Sequence, residues 1–178
     1  MRFRIPNEIF SSILAATTAF IGGNLLNLPV WAIFIGWAGT FLAGGPNRAT
    51  LKKLLPAMAA GSTFALAIVL LEQTFGAALG ESQTAKNAML ALFILVLNTA
   101  LMYAGRTRVL ALIPGMFLGF ASYFATMFGG FGFSAHNAFA AWVSVLAMNA
   151  LGPVFAVVAH AVTARAESPG TEPVVALD

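Results

Sequence analysis

Two asparagines lie in strongly apolar stretches of this chain, and their amides are the groups best suited to bind a polar partner there. Asn98 and Asn149 each carry a donor and an acceptor, and both need partners wherever water is excluded. Pro153 follows Asn149 by four residues and removes the helical hydrogen bond that would otherwise occupy the Asn149 carbonyl. The two amides therefore either hold neighbouring helices together or line a path and exchange hydrogen bonds with a small polar solute.

Two short aromatic segments are the second candidate for chemistry, and they resemble each other. Phe34–Phe41 and Phe117–Phe124 share Phe, Gly, Ala and Phe at the same four positions. Trp37 aligns with Phe120, and flat aromatic faces can stack on a planar solute or lie beneath a cation. We therefore expect Trp37 and Phe120 to present facing aromatic surfaces to a path.

The glycines and the remaining rings of these segments admit two interpretations each. Gly36 and Gly119 either pack helices closely or thin the wall of a narrow path. The rings at the segment ends either form hydrophobic constrictions or pack against lipid and core. The candidate path-lining residues are Phe34, Gly36, Trp37, Phe41, Phe117, Gly119, Phe120, Phe124, Asn98 and Asn149.

The composition identifies the environment of these residues as a membrane. Hydrophobic residues make up 60% of the 178 and charged residues 8%, against roughly 25% charged in a soluble domain. Six apolar stretches are each close to the roughly 20 residues that cross a bilayer as a helix. They lie at about 8–27, 28–45, 54–75, 87–105, 109–129 and 138–164. We predict a single transmembrane domain over residues 1–166 and a disordered cytoplasmic tail over residues 167–178.

The six stretches look like a duplicated unit of three helices, at about 8–75 and 87–164. Each aromatic segment lies in the second stretch of its unit, and Gly61–Ala65 in the third stretch resembles Gly152–Ala156 in the sixth. Because three is an odd number, the second unit must be inverted relative to the first. Inverted repeats are typical of membrane proteins with a pathway near the midplane.

The basic residues predict the orientation in the membrane. Eight of the nine fall on one side, which the positive-inside rule assigns to the cytoplasm together with both termini. These eight are Arg2, Arg4, Arg48, Lys52, Lys53, Arg106, Arg108 and Arg165. Lys86 lies on the other side, in the linker with Glu72 and Glu81. The same residues account for the pI near 9.8, so no nucleic-acid partner is expected.

No Asp, Glu, Lys or Arg is expected deep inside any of the predicted spans. Carriers driven by protons or sodium depend on such groups, so passive movement is favoured over coupled pumping. The chain also lacks a phosphate-binding loop motif and a buried acid–base pair, and we expect no enzyme. With no cysteine there is no thiolate metal site, and no cofactor or metal is expected.

The segment Leu28-Pro29-Val30-Trp31-Ala32, which runs into Phe34–Ala38 and closes with Gly44-Gly45, resembles the YcdZ-like inner-membrane proteins of bacteria. The resemblance covers about residues 8–163. It implies a small multi-spanning protein of the bacterial inner membrane with no assigned activity. The plan of two inverted three-helix units is also similar to that of aquaporins and formate channels, although their paired Asn-Pro-Ala motifs are missing here.

Together these observations predict an all-α membrane protein of six transmembrane helices arranged as two inverted three-helix repeats. The function expected is a passive channel or facilitator for a small uncharged polar solute, urea-like or amide-like. Its expected partners are the lipid bilayer, that solute and further copies of the chain in a homo-oligomer. Two alternatives stay open: an accessory membrane subunit without transport activity, and a small ion channel.

Overall fold

A computed structural model of the chain describes residues 6–25, 27–79 and 82–166. This part of the chain consists of helices and connecting loops and has no strand, so the all-α prediction is confirmed. The predicted tail over residues 167–178 lies outside the described residues, as do Arg2, Arg4 and Glu81. The helices are α1 (Asn7–Leu25), α2 (Val30–Leu42), α3 (Arg48–Phe75), α4 (Gln83–Ala104), α5 (Ile113–Phe128) and α6 (Ala138–Ala166), with a 3-10 turn at Gly76–Leu79.

The helices differ in length. Stretches of α3, α4 and α6 are long and apolar enough to cross a membrane, with mean hydropathies of 2.1, 1.8 and 1.9. The second and fifth helices have only 13 and 16 residues. At 1.5 Å per residue they are about 20 and 24 Å long, less than the roughly 30 Å of a bilayer core. The sequence predicted six stretches of more similar length.

Local sequence features explain where two helices begin. The Asn47 Oδ1 accepts a hydrogen bond from the Thr50 backbone N–H at 2.9 Å, so Asn47 is an N-cap. As a result α3 includes the lysine pair at 52–53, whereas the third apolar stretch in the sequence begins at about residue 54. In contrast, α5 begins at Ile113 rather than at about 109. Pro114 occupies its first turn, where proline removes no helical hydrogen bond.

The centre of the bundle contains two pairs of parallel helices, and the first pair is α2 with α6. Ile33 and Met148 belong to one buried cluster. Further along both helices, the rings of Trp37 and Phe155 meet edge to face, with centroids 5.8 Å apart. Because these contacts advance in the same direction along both helices, α2 and α6 are parallel.

The second parallel pair is α3 with α5. Ala57 and Met116 belong to one buried cluster, and further along both helices Val69 and Met127 belong to another. The second cluster also includes Ala141 from the beginning of α6. Since α6 begins where α3 and α5 end, the two parallel pairs run in opposite directions.

One end of the bundle is covered by the α5–α6 loop, residues 129–137, and is called the loop end below. The Gly132 N–H donates to the Asn27 carbonyl at 2.8 Å, and the Asn27 Nδ2 donates to the Gly132 carbonyl at 3.4 Å. Trp31 and Phe131 meet edge to face with ring centroids 4.4 Å apart. These contacts place the connection between α1 and α2 at the loop end.

The first and fourth helices lie at the periphery. In α4, Leu101 is buried, whereas Leu92, Leu95 and Val96 are 55%, 65% and 57% exposed. On α1, Phe20 is 67% exposed. The buried contacts of the described chain are therefore concentrated in α2, α3, α5 and α6.

Candidate functional site

The closest helix contact in the first parallel pair occurs at Gly36 and Gly152, and is called the α2–α6 crossing. A Cβ on Gly36 would overlap the backbone carbonyl oxygen of Asn149. A Cβ on Gly152 would overlap the Trp37 backbone nitrogen and would lie 2.6 Å from the Gly36 Cα. Because the obstacle is backbone in both cases, no change of side-chain rotamer can make room. Close approach at glycines is typical of packed membrane helices.

An equally close contact occurs in the second pair at Gly61 and Gly119, and is called the α3–α5 crossing. A Cβ on Gly61 would overlap the Met116 carbonyl oxygen, and a Cβ on Gly119 would overlap the Met58 carbonyl oxygen. Both glycines are buried. Here too the helices touch backbone to backbone.

The two crossings use residues that the internal sequence match aligns with each other. Gly36 aligns with Gly119, and Gly152 aligns with Gly61. A Cβ on Gly36 would meet Asn149, three residues before Gly152, and a Cβ on Gly119 would meet Met58, three residues before Gly61. Equivalent positions in the two aligned segments therefore make equivalent contacts.

The Asn149 side chain lies beside the α2–α6 crossing and is 3% exposed. Its Oδ1 is 3.2 Å from the Ser122 hydroxyl of α5, and its Nδ2 has no hydrogen-bond partner among the described residues. The Ser122 hydroxyl also donates to the Leu118 carbonyl at 2.8 Å, and it has only one hydrogen to give. In either orientation of the amide, one of its two polar atoms is left without a partner.

The neighbouring buried hydroxyls differ from Asn149 because their own helices satisfy them. The Thr40 hydroxyl donates to the Gly36 carbonyl at 2.8 Å. The Thr126 hydroxyl donates to the Ser122 carbonyl at 2.7 Å. Such bonds to the preceding turn use the single proton of each hydroxyl. The Asn149 amide is therefore the group beside this crossing that keeps hydrogen-bonding capacity for another molecule.

Asn98 occupies a different junction. It is half-buried on α4, a helix that packs chiefly against α3. Its Oδ1 is buried and has no hydrogen-bond partner in the described part of the chain. The structure thus places the two predicted asparagines apart, one at the periphery and one at the central crossing.

The aromatic rings of the two matching segments are also separated. Trp37 packs against Phe155, whereas Phe120 packs edge to face against Phe124 with centroids 4.8 Å apart. Phe124 in turn stacks on Phe128 at 5.4 Å. Within the described residues, Trp37 and Phe120 make no ring contact with each other.

The remaining predicted rings lie towards the exterior of the bundle. Phe41 and Phe117 are 47% and 43% exposed, and Phe34 is half-buried. Phe41 and Phe117 therefore present nearly half of their surface to the surroundings of the protein. The alternative of lipid contact, which the sequence left open for each ring, suits this exposure.

Three features of the structure were not among the predicted site residues. Ser122 contacts Asn149 across 27 positions of sequence, and nothing in the spacing of either residue indicates the other. The Trp31 Nε1 at the loop end is buried without a hydrogen-bond partner in the described residues. Gly152 had a weak sequence signal, namely its alignment with Gly61.

The chemistry available at the crossings is neutral hydrogen bonding. The buried polar side chains in the described ranges are Thr18, Thr40, Thr50, Ser62, Ser122, Thr126, Ser144 and Asn149. All of them are uncharged. These ranges also contain no group of three or more His, Cys, Asp or Glu residues that could hold a metal ion.

Fold and site together define the class as a small all-α bundle with helices suited to a membrane and an uncharged polar centre. The chain belongs to the DUF1097 family, described as proteins of unknown function, whose model matches residues 9–164. No curated protein and no solved structure matches the chain. Membership of an uncharacterised family agrees with the sequence analysis, whereas the YcdZ-like assignment stays a prediction.

Proposed function

We propose that this chain is a passive channel or facilitator for a small uncharged polar solute in the bacterial inner membrane. The observation that carries the proposal is the Asn149 amide, which is buried beside the α2–α6 crossing and lacks one partner among the described residues. An unpartnered polar atom away from water costs about 1–3 kcal/mol. A solute that passes this atom and bonds to it would remove that cost for the time of its passage.

The neutral character of the centre favours an uncharged solute. A permeating ion would need carbonyl rings, charged groups or aromatic faces to replace its water. The buried polar side chains near Asn149 are hydroxyls that are already bonded to their own helices. One amide with a free donor or acceptor is complementary to a solute that is itself an amide or a urea. The proposed solute is therefore urea-like or amide-like.

The proposed architecture is six membrane spans in two inverted three-helix repeats. Its main support is the equivalence of the two crossings, in which Gly36 and Gly119 each lie against the backbone of the residue three positions before the glycine of the facing helix. The opposite direction of the two parallel pairs is the relation that inversion of the second unit requires. The first and fourth helices, which correspond in the two units, are both peripheral.

The two short helices support a pathway at their position. α2 and α5 occupy the same place in the two units, and each is too short for a full bilayer crossing. Short or interrupted spans in corresponding positions of two repeats are a sequence-level indicator of a substrate site. The Asn149 amide lies where both helices approach α6, with Gly36 from α2 and Ser122 from α5.

The proposed orientation has both termini in the cytoplasm and the loop end outside. The lysine pair at 52–53 and Arg106 lie at the end of the bundle opposite to loop 129–137, as the positive-inside rule requires. A homo-oligomer is part of the proposal, because the exposed apolar side chains of α4 could pack against a second copy as well as against lipid.

The exposed α4 is also the observation that favours a second candidate, an accessory membrane subunit without transport activity. In that case α4 would pack against a helix of a larger complex. An accessory role predicts no intrinsic flux and a partner at fixed stoichiometry after gentle detergent extraction. A small ion channel is the third possibility, and it predicts conductance rather than solute flux.

The test is stopped-flow light scattering on proteoliposomes that contain the purified full chain, against empty liposomes of the same lipid. The solutes are urea, formamide, glycerol and water. Selective acceleration of urea or formamide is the expected result. The proposed facilitator would be contradicted if each of the four solutes crossed proteoliposomes and empty liposomes at the same rate, in a preparation shown to contain folded protein. Conductance in planar bilayers from the same preparation would favour the ion channel instead.

A further inference from the structure

A cavity of about 360 Å³ lies at the loop end, outside the central crossings. Its walls come from the end of α3, the beginning of α4 and the end of α5. They include Glu72, Gln73, Lys86, Met127 and Phe128. The cavity therefore combines two opposite charges with an apolar wall.

The two charged residues of the cavity are half-buried and lie on different helices. Glu72 belongs to the last turn of α3 and Lys86 to the first turn of α4. Among the described residues, neither forms an ion pair with the other or with any third group. A ligand that carries both a cation and an anion could therefore pair with both residues at once.

The apolar surroundings of the cavity continue along the bundle. Phe128 on its wall stacks on Phe124, with centroids 5.4 Å apart and planes nearly parallel. On the same face of α5, Phe128 and Phe117 are 57% and 43% exposed. A charged group held in the cavity would thus have an apolar surface beside it along which hydrocarbon chains can lie.

The geometry points to a binding site for a zwitterionic lipid whose headgroup carries a primary ammonium and a phosphate, as in phosphatidylethanolamine. The ammonium would donate to the Glu72 carboxylate, and the phosphate would accept from the Lys86 ammonium. Charge-assisted hydrogen bonds of both kinds are stronger than neutral ones. The inference rests on the proposed location in a membrane, because only there do the acyl chains meet α5.

The chemistry of the headgroup gives the site a measurable preference. A primary ammonium has three N–H donors for the Glu72 carboxylate, whereas the quaternary ammonium of phosphatidylcholine has none. Phosphatidylglycerol keeps the phosphate but has no cation. Phosphatidylethanolamine should therefore be retained better than either of the other two lipids.

The test is native mass spectrometry of the full chain, released from detergent after incubation with equal amounts of the three lipids. The expected result is retention of phosphatidylethanolamine about threefold to fivefold above phosphatidylcholine, the ratio that one partly screened ion pair provides. Glu72→Gln should abolish this preference, and Lys86→Gln should weaken the retention of all three phospholipids. Glu8→Gln and Lys52→Gln, which change the same residue types outside the cavity, should leave the preference as in the wild type.

Three outcomes would overturn the inference. They are equal retention of all lipids by the wild type, an unchanged preference in Glu72→Gln, and equally strong competition by soluble phosphoethanolamine. The last result would mean that a free zwitterion rather than a lipid occupies the cavity. The measurement involves no flux, so a chain that binds the lipid but carries no solute would contradict only the proposed function. A chain that carries solute without lipid preference would contradict only this inference.

Discussion

At the scale of single residues, Asn149 and Ser122 form the polar centre of the bundle. The amide is almost fully buried and bonds through one side to the serine hydroxyl. The serine hydroxyl is shared between that amide and the carbonyl of its own preceding turn. This pair joins α5 to α6 and leaves one amide atom without a hydrogen-bond partner among the described residues.

Ser122→Ala should destabilise the protein, because it leaves both sides of the Asn149 amide unpartnered. Hydrogen bonds between membrane helices contribute on average about 0.6 kcal/mol, with values up to about 1.7 kcal/mol. We expect a loss in this range, seen as a lower midpoint in detergent-solubilised thermal unfolding. Ser12→Ala is the matched control, since the Ser12 hydroxyl is exposed and bonds only within its own helix. Equal midpoints for the two variants would contradict the role of Ser122.

Sequence alone identified Asn149 but not its partner. An amide in an apolar stretch, four residues before a proline, is visible in the chain. The serine that bonds to it lies 27 positions away, and helical periodicity gives the face of a residue without the identity of the facing helix. Asn98 shows the converse case, because the same residue type in a similar stretch lies on a peripheral helix.

At the scale of helices, the backbone contacts at the two crossings determine the packing of the bundle. Gly36→Ala would place a methyl group on the Asn149 carbonyl, where only a shift of a whole helix can relieve the overlap. Forced overpacking costs about 1–3 kcal/mol even where side chains can adjust. We expect at least that loss, with a lower unfolding midpoint and less folded protein in size-exclusion chromatography.

Gly76→Ala is the control for this substitution. A Cβ at Gly76 would meet only the flexible end of Met89, at 3.8 Å, and the Gly76 backbone is in the right-handed helical region. This variant should unfold like the wild type. If Gly36→Ala is tolerated as well as Gly76→Ala, α2 and α6 are not in backbone contact at their crossing.

The loop end depends on the backbone conformation of Asn27, which has a positive φ of 49°. Asn27→Gly keeps that conformation accessible and removes only the side-chain bonds to loop 129–137. We expect faster hydrogen exchange in this loop, with unchanged exchange in α3 and α5. Asn27→Ala should accelerate exchange further, because alanine also disfavours the positive φ. Equal protection of the loop in all three proteins would contradict the anchoring role of Asn27.

The limits of prediction at this scale have physical causes. Composition and apolar stretches gave the helices, but the Asn47 cap extended α3 through two lysines that a hydropathy argument excludes. The shortness of α2 and α5 was hidden because the residues flanking them, such as Leu28 and Val109, are themselves apolar. Hydropathy indicates whether a segment favours an apolar environment over water. It does not indicate whether the segment is helical.

At the scale of the whole molecule, the proposed membrane topology can be tested through the orientation of the loops. The chain has no cysteine, so single cysteines can be introduced without background. Ala135 is exposed in loop 129–137, and Thr107 is exposed between α4 and α5. The two variants are Ala135→Cys and Thr107→Cys. A membrane-impermeant maleimide applied to intact spheroplasts should label the first and should label the second only after permeabilisation. Labelling of both from the same side would contradict the proposed topology.

In the proposed function, the unpartnered side of the Asn149 amide contacts a small polar solute as the solute crosses the membrane. The most direct measurement compares urea and glycerol flux by stopped-flow light scattering in proteoliposomes of the wild type, Asn149→Ala and Asn98→Ala. One lost hydrogen bond of about 1 kcal/mol corresponds to about a fivefold change. The ratio of urea to glycerol flux should fall by about that factor in Asn149→Ala and stay at the wild-type value in Asn98→Ala. A wild-type ratio in Asn149→Ala, or the same fall in both variants, would contradict the proposed role of Asn149.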